Sequence, residues 1–400
     1  MVKMKNIIVS DEDVTVEKLV PGGQGLGTLM DGKKVFFWNA LPGENVTKYE
    51  IFKKKSKYIE AVALEIENPA AERIESRDNI HLSTSPWQIM DYSYELEQKR
   101  ELLMENFRQE GLDCPAERVR TDGKQFFYRN KMEYSLYWDM SEERIKLAFR
   151  RRGTHRKEPI NTSSLEMPEI YEKALTIIND LNTRGEEAYK YQSLLLRANQ
   201  RGEVAGGLYE NHKPHPVFPN LSDRIMGQEY SYSPNGFFQI NLPVYEMALA
   251  EIKEHVGTGE VLDLYAGVGT IGLSVARGRK LTLVEVNKDA YAELERNCVA
   301  VGALAGLPKA VLAKAEEVLD FIAVGQTVIL DPPRAGCERK LIERILEVGP
   351  EKVIYLSCNP ATQARDVRIL SGKYEILKVV PFNFFPRTPH LENLVVLELK

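Results

Sequence analysis

The amino-acid sequence predicts an α/β protein in three parts: a small N-terminal β-barrel, a central α+β region and a C-terminal, mostly parallel sheet with helices on its faces. Three observations carry this. From about residue 257 onward, apolar strand candidates alternate with helical stretches, the pattern of a doubly wound sheet. The first 66 residues instead hold short β-branched runs separated by Gly and Pro, which suits a small barrel. The chain has 400 residues, and at about 100–200 residues per domain this exceeds a single core. The predicted parts are 1–67, 68–235 and 236–400.

Composition narrows the class. Hydrophobic residues make up 43% and charged residues 28%, ordinary for a globular chain, so global disorder is excluded. No apolar run reaches the ~18 residues that span a bilayer, and the opening MVKMKNIIVSDED has no apolar signal core. A cytoplasmic protein without a membrane partner is expected. The net charge of -5 argues against a globally basic binder but leaves room for local basic patches. Cys114, Cys298, Cys337 and Cys358 form no C-x-x-C pair. That count disfavours a disulfide scaffold or a clustered metal site and leaves a reactive thiol as the special role for a cysteine.

Taken in order, barrel strands fall at 13–21, 34–38 and 45–53, with turns at Pro21-Gly22-Gly23-Gln24-Gly25-Leu26-Gly27 and Leu41-Pro42-Gly43-Glu44. The tip Lys53-Lys54-Lys55-Ser56-Lys57-Tyr58 is either a solvated hairpin face or a surface for phosphates and bases. Asn68-Pro69 opens a linker. Leu96, Leu103 and Phe107 at helical spacing predict a helix over 93–110. Strands follow at 128–138 and 144–152, a helix over 166–184 and a strand over 188–198. Residues 117–157 hold 12 Lys/Arg against 6 Asp/Glu, a local net of +6; this face is either solvated or turned toward RNA. Pro234-Asn235-Gly236-Phe237-Phe238-Gln239-Ile240-Asn241 leads into a helix over 242–255. The parallel sheet takes strands 261–266, 281–286, 310–315, 327–330 and 352–357 with helices between them, then two β-rich runs, 375–380 and 394–399.

The chemistry concentrates in this last part. Val261-Leu262-Asp263-Leu264-Tyr265-Ala266-Gly267-Val268-Gly269-Thr270-Ile271-Gly272 is a buried strand running into G-x-G-x-x-G. Its glycines permit a tight turn and close backbone approach to a ligand. Glu285, at the end of the next strand, suits ribose hydroxyls. This much fits either a dinucleotide or S-adenosylmethionine. Strand 327–330 then ends in Asp331-Pro332-Pro333-Arg334, which puts Asp331 in the crevice where such sheets bind ligands. A dehydrogenase has no need of D-P-P there, whereas a methyltransferase that positions a planar base does. Tyr355-Leu356-Ser357-Cys358-Asn359-Pro360 puts Cys358 where a strand meets the same crevice and a helix begins, a place that favours thiolate. Cys337 is a weaker candidate, and Cys298 fits a helix core. In Phe384-Phe385-Pro386-Arg387-Thr388-Pro389-His390-Leu391-Glu392-Asn393, His390 and Glu392 share one face if the segment is extended, and either would supply a proton acceptor.

In this order, D-L-Y-A-G-V-G-T, L-D-P-P-R-A-G, L-S-C-N-P-A-T and F-P-R-T-P-H-L-E, with F-F-Q-I-N at 237–241, resemble the RNA uridine-C5 methyltransferases. The N-terminal part resembles a TRAM domain, an OB-like RNA-binding barrel found in bacterial ribosomal-RNA members. The resemblance covers nearly the whole chain. It implies a Rossmann-like methyltransferase domain, S-adenosyl-L-methionine as cofactor, Cys358 as nucleophile and Glu392 as general base. Cofactor contacts would fall on Gln239, Tyr265, Gly267, Thr270, Glu285, Glu316 and Asp331. Many ribosomal-RNA members carry a four-cysteine iron–sulfur cluster after the TRAM domain. Here neither His81-Leu82-Ser83-Thr84-Ser85-Pro86-Trp87-Gln88 nor the stretch near Ser163 has a cysteine, so no cluster is expected. The implied substrate is 23S ribosomal RNA, with a transfer-RNA loop uridine as the alternative.

The chemistry of that reaction asks for one thiol and one base. Uracil C5 is a poor nucleophile until a thiolate adds at C6, and the C5 proton must leave before the thiolate can be expelled. The uridine must be turned out of its stack, with Phe237, Phe238, Phe384 and Phe385 as candidate apolar walls. A nicotinamide oxidoreductase and a non-catalytic RNA-binding factor are the competing readings.

Overall fold

Glycine makes the N-terminal barrel possible. In the computed structural model, which describes residues 8–154, 156–215, 218–302 and 308–400, a Cβ on Gly25 would lie 2.7 Å from Val16 and one on Gly27 2.5 Å from Val14. Their bare backbones let strand Gly25–Thr28 press against Val14–Thr15 and close the sheet. Its order is Ile8–Ser10, Asn45–Lys54, Tyr58–Glu67, Lys34–Trp38, Gly25–Thr28, Lys18–Leu19, with Val14–Thr15 also on Asn45–Lys54. Alternating residues, among them Val35, Phe37, Val46, Tyr49, Ile59 and Ala61, fill the interior. Part of the opening segment read above, residues 1–7, lies outside the described residues.

The central sheet has six strands, ordered Lys157–Pro159, Arg144–Arg150, Lys131–Asp139, Ser193–Ala198, Val204–Glu210 and Lys213–His215. Its inward residues Met132, Tyr134 and Leu136 meet Ile170, Ala174, Ile178 and Leu181 of helix Pro168–Thr183, an i, i+4, i+8, i+11 stripe. The strand expected over 188–198 is shorter. Ala188–Lys190 forms a 3-10 turn, and only Ser193–Ala198 pairs. The chain leaves the preceding helix through Gly185, at φ 65, and must reverse before it can enter the sheet.

The C-terminal sheet runs Lys309–Leu312, Leu281–Glu285, Val261–Leu264, Thr327–Leu330, Lys352–Ser357, Glu392–Leu399, Tyr374–Phe382. The first five strands are parallel and the last two antiparallel. Strand order reverses between Val261–Leu264 and Thr327–Leu330, so the crevice opens beyond their carboxyl ends. Helices were expected between all these strands. Between Lys309–Leu312 and Thr327–Leu330 there are instead two 3-10 turns, Ala315–Glu317 and Leu319–Phe321. That segment must cross from the outermost strand to the far side of the switch point, and short turns burying Ala315 and Ile322 accomplish this.

Helix Tyr92–Gln109 crosses the parts. Its Leu103 and Phe107 pack into the same core as Leu341, Ala364 and Val367 of the C-terminal helices. Ahead of it, Trp87 is 1% exposed. Its indole N–H donates to the Gly23 carbonyl of the barrel at 3.0 Å, and its backbone N–H donates to the Arg387 carbonyl at 3.0 Å. One residue, through its side chain and its backbone, thus bolts the barrel to the loop before the last strand. Trp87→Ala should destabilise the protein by about 3–5 kcal/mol, measured by denaturant unfolding. A loss below about 1 kcal/mol would mean that the barrel docks by other contacts.

Candidate active site

The glycine loop turns as its sequence requires. Tyr265, Gly267 and Gly269 have φ of 63, 58 and 90, left-handed conformations that swing the chain from strand Val261–Leu264 into helix Thr270–Val275. Gly272 N–H donates to Asp263 Oδ2 at 2.8 Å, and a Cβ there would sit 2.7 Å from that oxygen. Asn297 ties the loop to the Leu221–Ile225/Gln228–Tyr232 hairpin, donating to the Val268 carbonyl at 2.9 Å and the Ser231 carbonyl at 3.1 Å.

Around this loop the residues singled out in the sequence converge. Glu285 accepts from Gly267 N–H at 2.8 Å and Asn287 N–H at 2.6 Å, which orients its carboxylate at the strand end while leaving lone pairs unused. Tyr265 Oη donates to Glu316 at 2.5 Å. The Thr270 hydroxyl lies 2.7 Å from Tyr245 Oη, so it is engaged within the fold. Gln239 is buried. Its carbonyl accepts from Asn130 Nδ2 at 3.0 Å, and its side-chain amide has no protein partner among the described residues. A Cβ built on Gly267 meets nothing within 4 Å, so the loop faces open space.

The second half of the crevice is built on register. Strand Lys352–Ser357 pairs with Glu392–Leu399 antiparallel, ending at Ser357 opposite Asn393. The next step sets Cys358 toward Glu392, and the two interact electrostatically. Asn359 caps helix Pro360–Leu370 by accepting from Ala361 N–H at 3.2 Å. Its Nδ2 donates to the Arg334 carbonyl at 2.7 Å, and Thr362 Oγ1 donates there at 3.3 Å. The D-P-P-R loop is therefore fastened to the turn that carries Cys358. Asp331, Arg334, Cys358 and Glu392 feel one another's charges.

Protonation departs from the expectation of a thiolate. Burial pushes the Cys358 thiol up to about 11, and Glu392 and Asp331 push the same way against Arg334; these outweigh the helix terminus. Burial holds the Glu392 carboxyl well above the usual carboxylate range, with Asp331 adding and Arg334 opposing. Burial raises Asp331 to about 7. His390 reaches solvent at the rim, yet desolvation by its surroundings lowers the imidazole to about 4, helped by Arg334, Lys99, Arg152 and Arg129. It is neutral at physiological pH and does not share Glu392's buried face. The arrangement is a cluster in which burial favours the neutral thiol and carboxyl, with the Arg334 guanidinium beside them. Once both have lost their protons it can deliver a nucleophile and accept a proton.

The remaining candidates sort clearly. Cys337 is buried with Sγ 3.8 Å from Tyr355 Oη, and burial pushes its thiol up to about 12. Cys298 is core, and Cys114 is half-buried away from the crevice. Phe384 is fully buried, Phe385 is half-buried beside it, Phe238 stacks on Tyr232 at 3.8 Å and Phe237 is exposed. The Arg150-Arg151-Arg152 run divides. Arg151 pairs with Glu50 at 2.5 Å, Arg152 lies 4.1 Å above the Trp38 ring, and only Arg150 is exposed. Tyr128-Arg129-Asn130-Lys131, read as part of a basic surface, is largely scaffold: Tyr128 Oη donates to the Pro386 carbonyl at 3.1 Å and Lys131 Nζ to the Asn235 carbonyl at 3.0 Å. Sequence reading missed Glu95 and Lys99, buried beneath the 383–390 loop. Their signal was present: two charges four apart on the stripe that also carries Leu102, Leu103 and Asn106.

Residues 220–400 match the family model described as tRNA (Uracil-5-)-methyltransferase. Over its length the chain is 28% identical to a protein of Synechocystis sp. named an uncharacterized RNA methyltransferase, covering 96% of this chain and 95% of that one. A protein of the same name from Halalkalibacterium halodurans is 29% identical, covering 99% and 98%. Among solved structures, the Pyrococcus abyssi tRNA (uracil-54, C5)-methyltransferase in complex with S-adenosyl-L-homocysteine has a TM-score of 0.76 at 24% identity, covering 97% of this chain and 100% of that one. At that identity the likeness is one of fold, barrel included.

Asp263 yields a stability test. It is fully buried beneath the glycine loop, Oδ1 has no partner among the described residues, and burial raises it to about 8. The folded state therefore holds a proton that the unfolded chain releases near pH ~4, so stability falls as pH rises from about 4 to about 8. Asp263→Asn should flatten that part of the stability–pH curve, measured by denaturant midpoints. An unchanged slope would mean that Asp263 is ionised in the fold.

Proposed function

We propose that the chain, whose residues 220–400 match the tRNA (Uracil-5-)-methyltransferase model, is an S-adenosylmethionine-dependent enzyme forming 5-methyluridine in RNA. The observation that carries this reading is the register that sets Cys358 and Glu392 against each other at the end of strands Lys352–Ser357 and Glu392–Leu399, beside the switch point of the sheet. A pyrimidine there would have a nucleophile on one side and a proton acceptor within reach.

The residues present fit the cofactor. Glu285, aimed by two backbone N–H groups, suits ribose hydroxyls. The open space over Gly267 admits a ligand against bare backbone, and the unpartnered amide of Gln239 with the carboxyls of Glu316 and Asp331 supplies polar anchors. When bound, S-adenosylmethionine supplies an electrophilic methyl group. In this reading the Cys358 thiol and the Glu392 carboxyl first release their protons to solvent, and Cys358 Sγ, as the thiolate, adds to C6 of the uracil. The density gained at C5 takes the methyl group, Glu392 accepts the C5 proton, and the C5–C6 double bond reforms as the C6–S bond breaks. Arg334 favours the thiolate. A carboxyl whose proton is held tightly is the stronger base once ionised.

RNA affinity is assigned to exposed cations at the barrel–sheet junction. Lys54, Lys55 and Lys57 at the hairpin tip are exposed, as are Arg150 and Arg156. Gly153 packs on Phe52 of the barrel, which brings the two groups together. Large-subunit ribosomal RNA is the first substrate to test, as the sequence resemblance implies. A transfer RNA is the second, because the fold match over nearly the whole chain, barrel included, is to the Pyrococcus abyssi tRNA (uracil-54, C5)-methyltransferase. The barrel therefore does not separate the two RNA classes, and methylation of separately purified RNAs does.

Cys358→Ala should abolish 5-methyluridine formation by more than about a thousandfold while S-adenosylmethionine binding stays near wild type; retained turnover would remove this cysteine from the chemistry. Because the thiol is pushed up to about 11, covalent capture of RNA should accelerate continuously from about pH 7 to about pH 9 as thiolate grows, and Arg334→Gln should slow it. A plateau near pH 7 would contradict this. Replacing Lys54, Lys55 and Lys57 with Ala should weaken RNA binding and reduce the salt slope by about 2–3, read from binding isotherms at several salt concentrations.

A further inference from the structure

Charged side chains are seldom fully buried without partners. Helix Tyr92–Gln109 nevertheless carries Glu95 and Lys99 at 0% exposure, facing Arg387 at 2%. The three form one network. Lys99 Nζ lies 2.8 Å from Glu95 Oε1 and donates to Asn383 Oδ1 at 2.5 Å and to the Phe385 carbonyl at 3.0 Å. Both oxygens of Glu95 accept from the Arg387 backbone N–H, at 3.0 and 3.1 Å, and Oε1 also takes Asn383 Nδ2 at 3.2 Å. The Arg387 guanidinium donates to the Met90 carbonyl at 2.6 Å and to Gln125 Oε1. Arg387 has φ 64, a left-handed conformation that a side chain of this size adopts only when its surroundings impose it.

Buried ion pairs are poor stabilisers, because desolvating the charges offsets their attraction. What this network fixes is geometry. Its partners are the backbone and side chains of residues 383–387, in the loop between strands Tyr374–Phe382 and Glu392–Leu399 that delivers Glu392 to the crevice. The loop is held besides by Tyr128 on the Pro386 carbonyl and by Asn241 on the Phe384 carbonyl at 3.2 Å.

We propose that Glu95, Lys99 and Arg387 are positioning residues for proton removal: they fix the 383–391 loop and so aim the Glu392 carboxyl at the ring carbon that loses its proton. This rests on the roles assigned above to Cys358 and Glu392. Methyl transfer uses Cys358 and the glycine loop, which this network does not touch. Loosening it should therefore slow the step after methyl transfer more than the steps before.

The test uses full-length protein, S-adenosylmethionine and RNA transcripts of the ribosomal and transfer classes carrying tritium at uridine C5. Two quantities are read in one reaction: protein–RNA adduct stable to denaturing gels, and tritium released to water. Glu392→Gln calibrates the assay, because it should accumulate methylated adduct and release no tritium. Lys99→Met should lower tritium release relative to adduct formation by on the order of tenfold. Gln125→Ala, at the half-buried edge of the network, should lower it by about threefold without unfolding the protein. Parallel loss of both signals in Lys99→Met, or an unchanged ratio in Gln125→Ala, overturns the proposal. If Lys99→Met is insoluble, the Gln125→Ala ratio decides alone. If Glu392→Gln accumulates no adduct, the assignment of the base fails instead, which separates that failure from this one.

Discussion

The antiparallel register between strands Lys352–Ser357 and Glu392–Leu399 is the constraint on which the candidate site depends. Pairing Ser357 with Asn393 brings the next residues, Cys358 and Glu392, to one end of the sheet. A one-residue slip would turn Glu392 to the opposite face. Three buried hydrogen bonds secure the register. Gln363 donates to the Tyr355 carbonyl at 2.8 Å and the Asn393 carbonyl at 3.0 Å, and Asn393 Nδ2 returns a bond to Gln363 Oε1 at 2.7 Å. Since Gln363 lies on the helix that Asn359 caps, the cysteine turn and the strand opposite it are set by one helix.

The electrostatics follow from where this register leaves the groups. Asp263 lies under the glycine loop, Asp331 follows strand Thr327–Leu330 and Glu392 begins the strand beside Cys358, and burial raises all three. Burial disfavours charge on both the thiol and the carboxyl. The exposed Arg334 opposes this at both Cys358 and Glu392, and its loop is pinned to the cysteine turn through the Arg334 carbonyl. The Arg334 loop and the Cys358 turn are therefore held as a unit.

The three parts of the chain are joined through the site rather than around it. Trp87 links the barrel to the loop before Glu392, Tyr128 and Asn130 reach from the central region to Pro386 and Gln239, and helix Tyr92–Gln109 supplies the buried charges beneath that loop. The barrel, the central region and the crevice thereby have a fixed relation to one another.

Much of this was legible in the chain itself. Alternating apolar strands and helices announced the parallel sheet, because its strands are buried on both faces and read as continuous apolar runs. The glycine loop, Glu285, Asp331 and Cys358 were legible because each stands at a strand's carboxyl end, where topology alone directs it to the crevice. The residues alone offered Glu392 and His390 as alternative proton acceptors, and only family resemblance chose between them, since the place of Glu392 depends on pairing with a strand some forty residues away. The protonation of Cys358 was misread because a helix terminus is local, whereas burial and neighbouring carboxyls are assembled by the fold. The division of the Arg150–Arg152 run and the burial of Glu95, Lys99 and Arg387 likewise depend on contacts between distant segments, which only the tertiary structure decided.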